Sequence, residues 1–133
     1  MDRFLNNETD PNQLSPSTLA FIGDCVFELF VREALVTQAN RPSSELHAEK
    51  VKFVSASAQA ESFHILEGDL TDKELEIFKR GRNAHTTHTP KNMSNADYHA
   101  ATGFETLFGY LYLNGELDRL RELFNKIWNR QNT

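Results

Sequence analysis

Two acidic residues stand out for their surroundings. The stretch "LAFIGDCVFELFVREAL", residues 19–35, has twelve apolar residues in seventeen, and Asp24 sits among them beside Gly23. The stretch "YHAATGFETLFGYLYL", residues 98–113, repeats the pattern: Glu105 is its only acid, flanked by apolar and small residues. At helical spacing Ala20, Asp24, Glu28 and Val31 share one face of the first segment. Tyr98, Thr102, Glu105 and Gly109 share one face of the second. Ala20, Gly23, Thr102 and Gly109 are small enough to let two such helices approach closely. A carboxylate in apolar surroundings is costly unless it is paired or holds a cation. Asp24 and Glu105 together would offer oxygen ligands to a hard cation, the chemistry that suits Mg²⁺. Spacing alone leaves plainer readings open: Asp24 at a water-lined edge or capping a neighbouring helix, and Glu28 simply solvated.

A third feature is "FKRGRNAHTTHTPKN". No acid lies between Glu76 and Asp97, and Lys79, Arg80, Arg82 and Lys91 give that segment +4 in a chain of net charge −5. Asn83, Asn92 and three threonines add neutral hydrogen-bonding groups. Lysine and arginine supply charge to phosphate backbones, and polar side chains fix position on them. The competing reading is a solvated basic loop on an acidic protein. His85 and His88 lack a third ligand nearby and do not amount to a metal site. Cys25, the only cysteine, reads as core and excludes a disulfide within the chain.

The elements that must carry these residues read as helices throughout. Ser15 is a cap and Pro16 suits the first helical position, so a helix is expected to run to about Gln38. "NRPSSELH" breaks the chain. A second helix, capped by Ser43 or Ser44, is expected to reach Leu66 and end at Gly68. "TDKE" is a capping box with Thr71 as cap and Glu74 reaching back. The short helix behind it leads into "KRGRN" and then a polar loop, "HTTHTPKN". Ser94 offers the next cap, and that helix stops at Asn114-Gly115. A last helix from Glu116 to Asn129 places Leu117, Leu120, Leu123, Phe124 and Ile127 on one face.

The fold class is therefore all-α, a single-domain helical bundle over residues 1–133 with a core at about 14–130. A chain of 133 residues typically buries roughly two thirds of its unfolded surface and needs no disulfide or structural metal to fold. The N-terminus lacks the blocks of a signal peptide, and no run approaches ~18 apolar residues, so no membrane partner and a cytoplasmic location are expected.

"FIGDCVFEL" resembles the signature helix of the ribonuclease III family, and "FETLFGYLYL" resembles that family's second acidic helix. "KRGRNAHTTHTPKN" is similar to the basic loop of the Mini-ribonuclease III branch, which lacks a double-stranded-RNA-binding domain. The resemblance runs from about Leu14 to Leu113, and no further domain is expected after Arg130. It implies Mg²⁺-dependent cleavage of double-stranded RNA by a homodimer, leaving 5′-phosphate and 3′-hydroxyl ends with a short 3′ overhang. It also implies a role in maturing the large-subunit (23S) ribosomal RNA precursor, with a ribosomal protein as a candidate cofactor. Residue by residue, it makes Asp24 and Glu105 the catalytic and metal-binding pair and Lys79, Arg80, Arg82, Asn83, Lys91 and Asn92 the RNA contacts. Two further acids of the full-length enzymes fall here at Ala20 and Thr102, which leaves the number of metal ions open. The first helix, with more apolar surface than one small domain covers, is expected to join two copies. Two rival readings stand beside this one: a catalytically inactive RNA-binding scaffold of the same fold, and an acidic helical interaction module.

Overall fold

The computed structural model describes residues 2–84 and 95–131. Among them are six α-helices, two one-turn 3₁₀ helices and no strand. The helices are α1 (Pro16–Gln38), α2 (Ser43–Val54), α3 (Ala56–Leu66), α4 (Asp72–Arg82), α5 (Asn95–Leu113) and α6 (Leu117–Gln131). The loop "HTTHTPKN" and the cap at Ser94 lie outside the described residues.

Local chemistry accounts for most of the boundaries. Ser15 accepts the Thr18 N–H at 3.2 Å with Pro16 behind it, which starts α1. The capping box at α4 is complete: Glu74 N–H donates to Thr71 Oγ1 at 3.1 Å, and Thr71 N–H to Glu74 Oε1 at 2.9 Å. After α5 the chain turns at Gly115, whose φ of 73° is left-handed. Glu116 N–H then reaches back to the Leu111 carbonyl at 2.9 Å. That is the six-to-one bond of a glycine-terminated helix.

Three boundaries differ from the sequence reading. The helix expected over 43–66 is two helices. Ser55 leaves the helix with φ −64° and ψ 156°, and its hydroxyl accepts the Ala58 N–H to start α3 afresh. Serine competes with the helical backbone in this way and is favoured at caps. Ser43 and Ser44 do not cap α2; Pro42 occupies that position without a side-chain cap bond. Gly68 lies within the 3₁₀ turn Glu67–Asp69.

The most covered helix is α5. It packs against α1, α3 and α4 and also meets α6. Helix α1 buries one stripe at four-residue spacing, Leu19, Gly23, Phe27, Val31 and Leu35. Phe27 sits edge-on to Phe104 and Phe108 of α5, with centroids at 4.8 and 5.4 Å. Its opposite side is bare: Phe21 is 82 % exposed, and Leu29 and Val36 are exposed too. Cys25 is on this bare side, which corrects its placement in the core. An apolar sequence marks a helix surface that avoids water; it does not say whether its own chain does the covering. Helix α6 buries Leu120, Leu123, Phe124 and Ile127 as its periodicity requires. A carboxylate ties α6 to α4: Arg119 donates from Nε and Nη2 to the two oxygens of Glu74, at 2.8 and 2.7 Å. Burial raises the Glu74 pKa, but the Arg119 hydrogen bond, the Thr71 amide and the Arg119 charge outweigh it, so the net shift is downward.

Candidate functional site

At the crossing of α1 and α5 a pair of glycines, Gly23 and Gly109, lets the two helices approach closely. A Cβ added at Gly23 would lie 1.7 Å from the Glu105 carbonyl oxygen, and one added at Gly109 would lie 1.9 Å from the Leu19 carbonyl oxygen. With no side chain on either helix at the crossing, backbone meets backbone. The residues next to the crossing, Asp24 on α1 and Glu105 on α5, are thereby brought together.

Their environments differ. Asp24 is exposed at the rim, so the water-lined-edge reading holds for its position, while Glu105 is largely covered. Burial raises the Glu105 pKa, and the hydrogen bond and negative charge of Asp24 raise it further, to about 8; a hydrogen bond from Gln59 acts in the opposite direction. Two carboxylates held this close are a pair a cation can take over, because a positive ion relieves the burial cost and the mutual repulsion together. The donor set thus fits a hard divalent cation. It is small: no group of three or more His, Cys, Asp or Glu suited to a metal occurs among the described residues. Ala20 and Thr102 supply no acid, and the Thr102 hydroxyl is spent on the Tyr98 carbonyl at 3.0 Å. Glu28 is not part of the pair. Arg32 binds it at 2.7 Å and Lys50 approaches to 3.7 Å.

The basic residues fall together at the C-terminal turn of α4, where positive charge also suits the helix dipole. Lys79, Arg82 and Asn83 are exposed and Arg80 is partly covered. Arg82 lies over the Phe78 ring at 5.9 Å and donates to Asn83 Oδ1 at 3.2 Å. Lys91 and Asn92 lie outside the described residues, as do His85 and His88.

One neighbour of the pair escaped the sequence reading. Gln59 on α3 is 2 % exposed and donates from Nε2 to Glu105 Oε2 at 3.5 Å. The available signal is a polar residue at core spacing, four before Phe63 and seven before Leu66, both buried. The sequence does not reveal its contact, because Glu105 lies 46 residues further on.

Comparison with known proteins gives this arrangement a family. The model of the ribonuclease III domain matches residues 17–116, which contain α1 through α5 and both carboxylates. The chain belongs to the ribonuclease III family. It is similar to Mini-ribonuclease 3 of Thermoanaerobacter sp. (strain X514), 49 % identical over 110 residues that cover 83 % of this chain and 78 % of that protein. It is 44 % identical over 114 residues to Mini-ribonuclease 3 of Symbiobacterium thermophilum, covering 86 % and 88 % of the two chains. A crystal structure of a Fusobacterium nucleatum protein superposes with a TM-score of 0.83 at 25 % identity, over 93 % of this chain and 99 % of that one. The ribonuclease III domain and the ribonuclease relatives make this chain an endoribonuclease with the all-helical fold of its family. No helix among the described residues is long and apolar enough to cross a membrane.

Proposed function

We propose that the chain cleaves double-stranded RNA with Mg²⁺ held by Asp24 and Glu105, acts as a two-fold dimer, and serves maturation of the 23S ribosomal RNA precursor in the cytoplasm. The observation that carries the reading is the carboxylate pair beside a crossing with no side chains. Its two acids are brought together by backbone contact, and burial and the neighbouring Asp24 both disfavour a lone negative charge on Glu105, a cost that a cation offsets. Mg²⁺ there supplies a lowered pKa for water and charge neutralisation at phosphorus. The chain's own share is placement. Asp24, at the open rim, faces incoming substrate. Glu105, held on the covered helix, sets the depth at which the scissile phosphate can sit. The open rim leaves the rest of the cation's ligands to water and RNA oxygens. Lys79, Arg80, Arg82 and Asn83, continued in sequence by Lys91 and Asn92, hold the duplex by its backbone and shape, the usual way double-stranded RNA is read.

The bare side of α1 supports the dimer. Phe21 and Val36 are fifteen residues apart on one face, about 22 Å along the helix. Beside Val36 lies a hollow of about 190 Å³ lined by Leu35, Val36 and Leu46 together with Arg32, His47 and Lys50. An apolar cavity of roughly 150 Å³ accepts a benzene ring. Two antiparallel copies of α1 related by an axis near Leu29 therefore present each Phe21 ring to the partner's hollow. The same axis sets two carboxylate sites in opposite orientations, matching the antiparallel strands of a duplex. Paired cuts then leave 5′-phosphate ends with a short 3′ overhang.

The test is cleavage of a long RNA duplex with and without Mg²⁺ by the wild-type chain and by Asp24→Asn and Glu105→Gln. Both variants are expected to lose most cleavage while keeping helical content and RNA binding. A Glu105→Gln variant that cuts at the wild-type rate would overturn the assignment.

A further inference from the structure

Glu105 has a neighbour on a third helix. Gln59 is buried, and its Nε2 faces Glu105 Oε2 at 3.5 Å. The core does not ask for an amide at this point. Gln59 shares the buried side of α3 with Ala60, Phe63 and Leu66, and an unbranched apolar side chain fills the same space without the cost of burying a polar group. Its position depends on the break at Ser55, which starts α3 four residues earlier in a new direction. The structure thus spends a helix break and a buried amide on one carboxylate oxygen.

The chemistry of that contact is specific. An amide N–H favours the ionised carboxylate and fixes its rotation about the last side-chain bond. Such bonds are often long in an unliganded site and tighten when it is loaded. Only two carboxylates are present here, so the rotation of one governs half of the acid ligands the chain contributes. Groups that orient a ligand from behind typically set 10–100-fold in metal affinity or activity.

We propose that Gln59 is a positioning residue that holds the Glu105 carboxylate toward a divalent cation shared with Asp24. This rests on the proposed function. The replacement Gln59→Met keeps length and volume and removes the N–H. Mn²⁺ binding, followed by the electron paramagnetic resonance of the free ion, is expected to shift its half-saturation about tenfold or more upward in this variant. At saturating Mn²⁺ the KM for an RNA duplex stays at its wild-type value, because Gln59 does not touch RNA. A merely structural role would leave the Mn²⁺ midpoint unchanged. In wild-type protein, which removes any doubt about folding, the Gln59 side-chain amide resonances are expected to move during a Mg²⁺ titration with the same midpoint as the Asp24 backbone amide. A folded Gln59→Met variant with the wild-type Mn²⁺ midpoint, or a Gln59 amide unmoved at saturating Mg²⁺, overturns the proposal and leaves the carboxylate pair standing. Absence of saturable Mn²⁺ binding in the wild-type chain would instead overturn the cation reading itself.

Discussion

Replacing Gly23 with alanine adds one methyl group where no space exists. The new Cβ would lie 1.7 Å from the Glu105 carbonyl oxygen and 2.7 Å from the Gly109 nitrogen, and ordinary contact begins at 3.4 Å. The obstructing atoms are backbone, so no rotamer change relieves them, and α1 must move away from α5 by about 3.4 − 1.7 = 1.7 Å. Overpacking of this kind typically costs 1–3 kcal/mol, a fall in Tm of roughly 4–15 °C for a domain of this size. A typical stability of 5–15 kcal/mol leaves the variant folded at 25 °C. The effect on cleavage is larger than the effect on stability, because displacing catalytic groups by about 1 Å costs on the order of 10²-fold. Single-turnover cleavage of an RNA duplex, run well below both melting transitions, is therefore expected to drop about 100-fold. Gly68→Ala is the control. Its Cβ meets nothing within 4 Å, so it is expected to leave the rate unchanged and to be neutral or slightly stabilising. A Gly23→Ala protein that is folded and cuts at the wild-type rate refutes the claim that this crossing positions the two carboxylates.

Three further outcomes follow from other parts of the structure. Alanine at Arg82 is expected to weaken binding to RNA duplexes of any sequence alike and to flatten the salt slope by about 1, as the loss of one phosphate contact requires; a filter-binding salt titration measures it. If the proposed dimer forms, Phe21→Asp is expected to convert it to monomer in light scattering and to replace paired staggered cuts with single-strand nicks; a monomer that still makes paired cuts refutes the two-fold arrangement. Glu74 has its pKa depressed, so its stabilising contribution is present above the ordinary carboxylate pKa and is lost as pH falls through the folded value. Glu74→Gln is expected to cost about 3 kcal/mol at pH 7, the scale for breaking a buried pair, and to flatten the acid side of the stability curve; urea midpoints between pH 3 and 7 test both.

What was legible in the sequence was local. Ser15-Pro16, the Thr71–Glu74 box and Asn114-Gly115 are recognisable because each satisfies its own backbone groups within a few residues. The apolar face of α6 was legible because charged residues alternate with it at helical period. The carboxylate pair was legible as two similar exceptions in two apolar helices. Ser55 was not, because in "VSASAQ" a serine cap and a mid-helix serine have the same neighbours, and tertiary packing decides between them. Gln59 was not either, because its partner lies 46 residues on and only the packing of α3 against α5 brings the two together. The exposure of Cys25 was illegible for a different reason. Helix α1 is apolar on nearly every side, and only the positions of α5, α2 and α4, with the Phe124 ring of α6, reveal which side the chain itself covers.

The Glu74–Arg119 contact has a consequence for the order in which this protein can be made. The carboxylate precedes its arginine by 45 residues. In chain order α4 precedes α6, so Glu74 can enter its local capping box before Arg119 is available to it. Until then Glu74 has no guanidinium to offset its burial, and Phe27 and Phe30 lack the Phe124 ring that packs on them. The two ends of α4 are thus secured by different helices: its acidic start waits for α6, while its basic last turn is seated by α5, where Gly81 lies against Gly103 and Thr106.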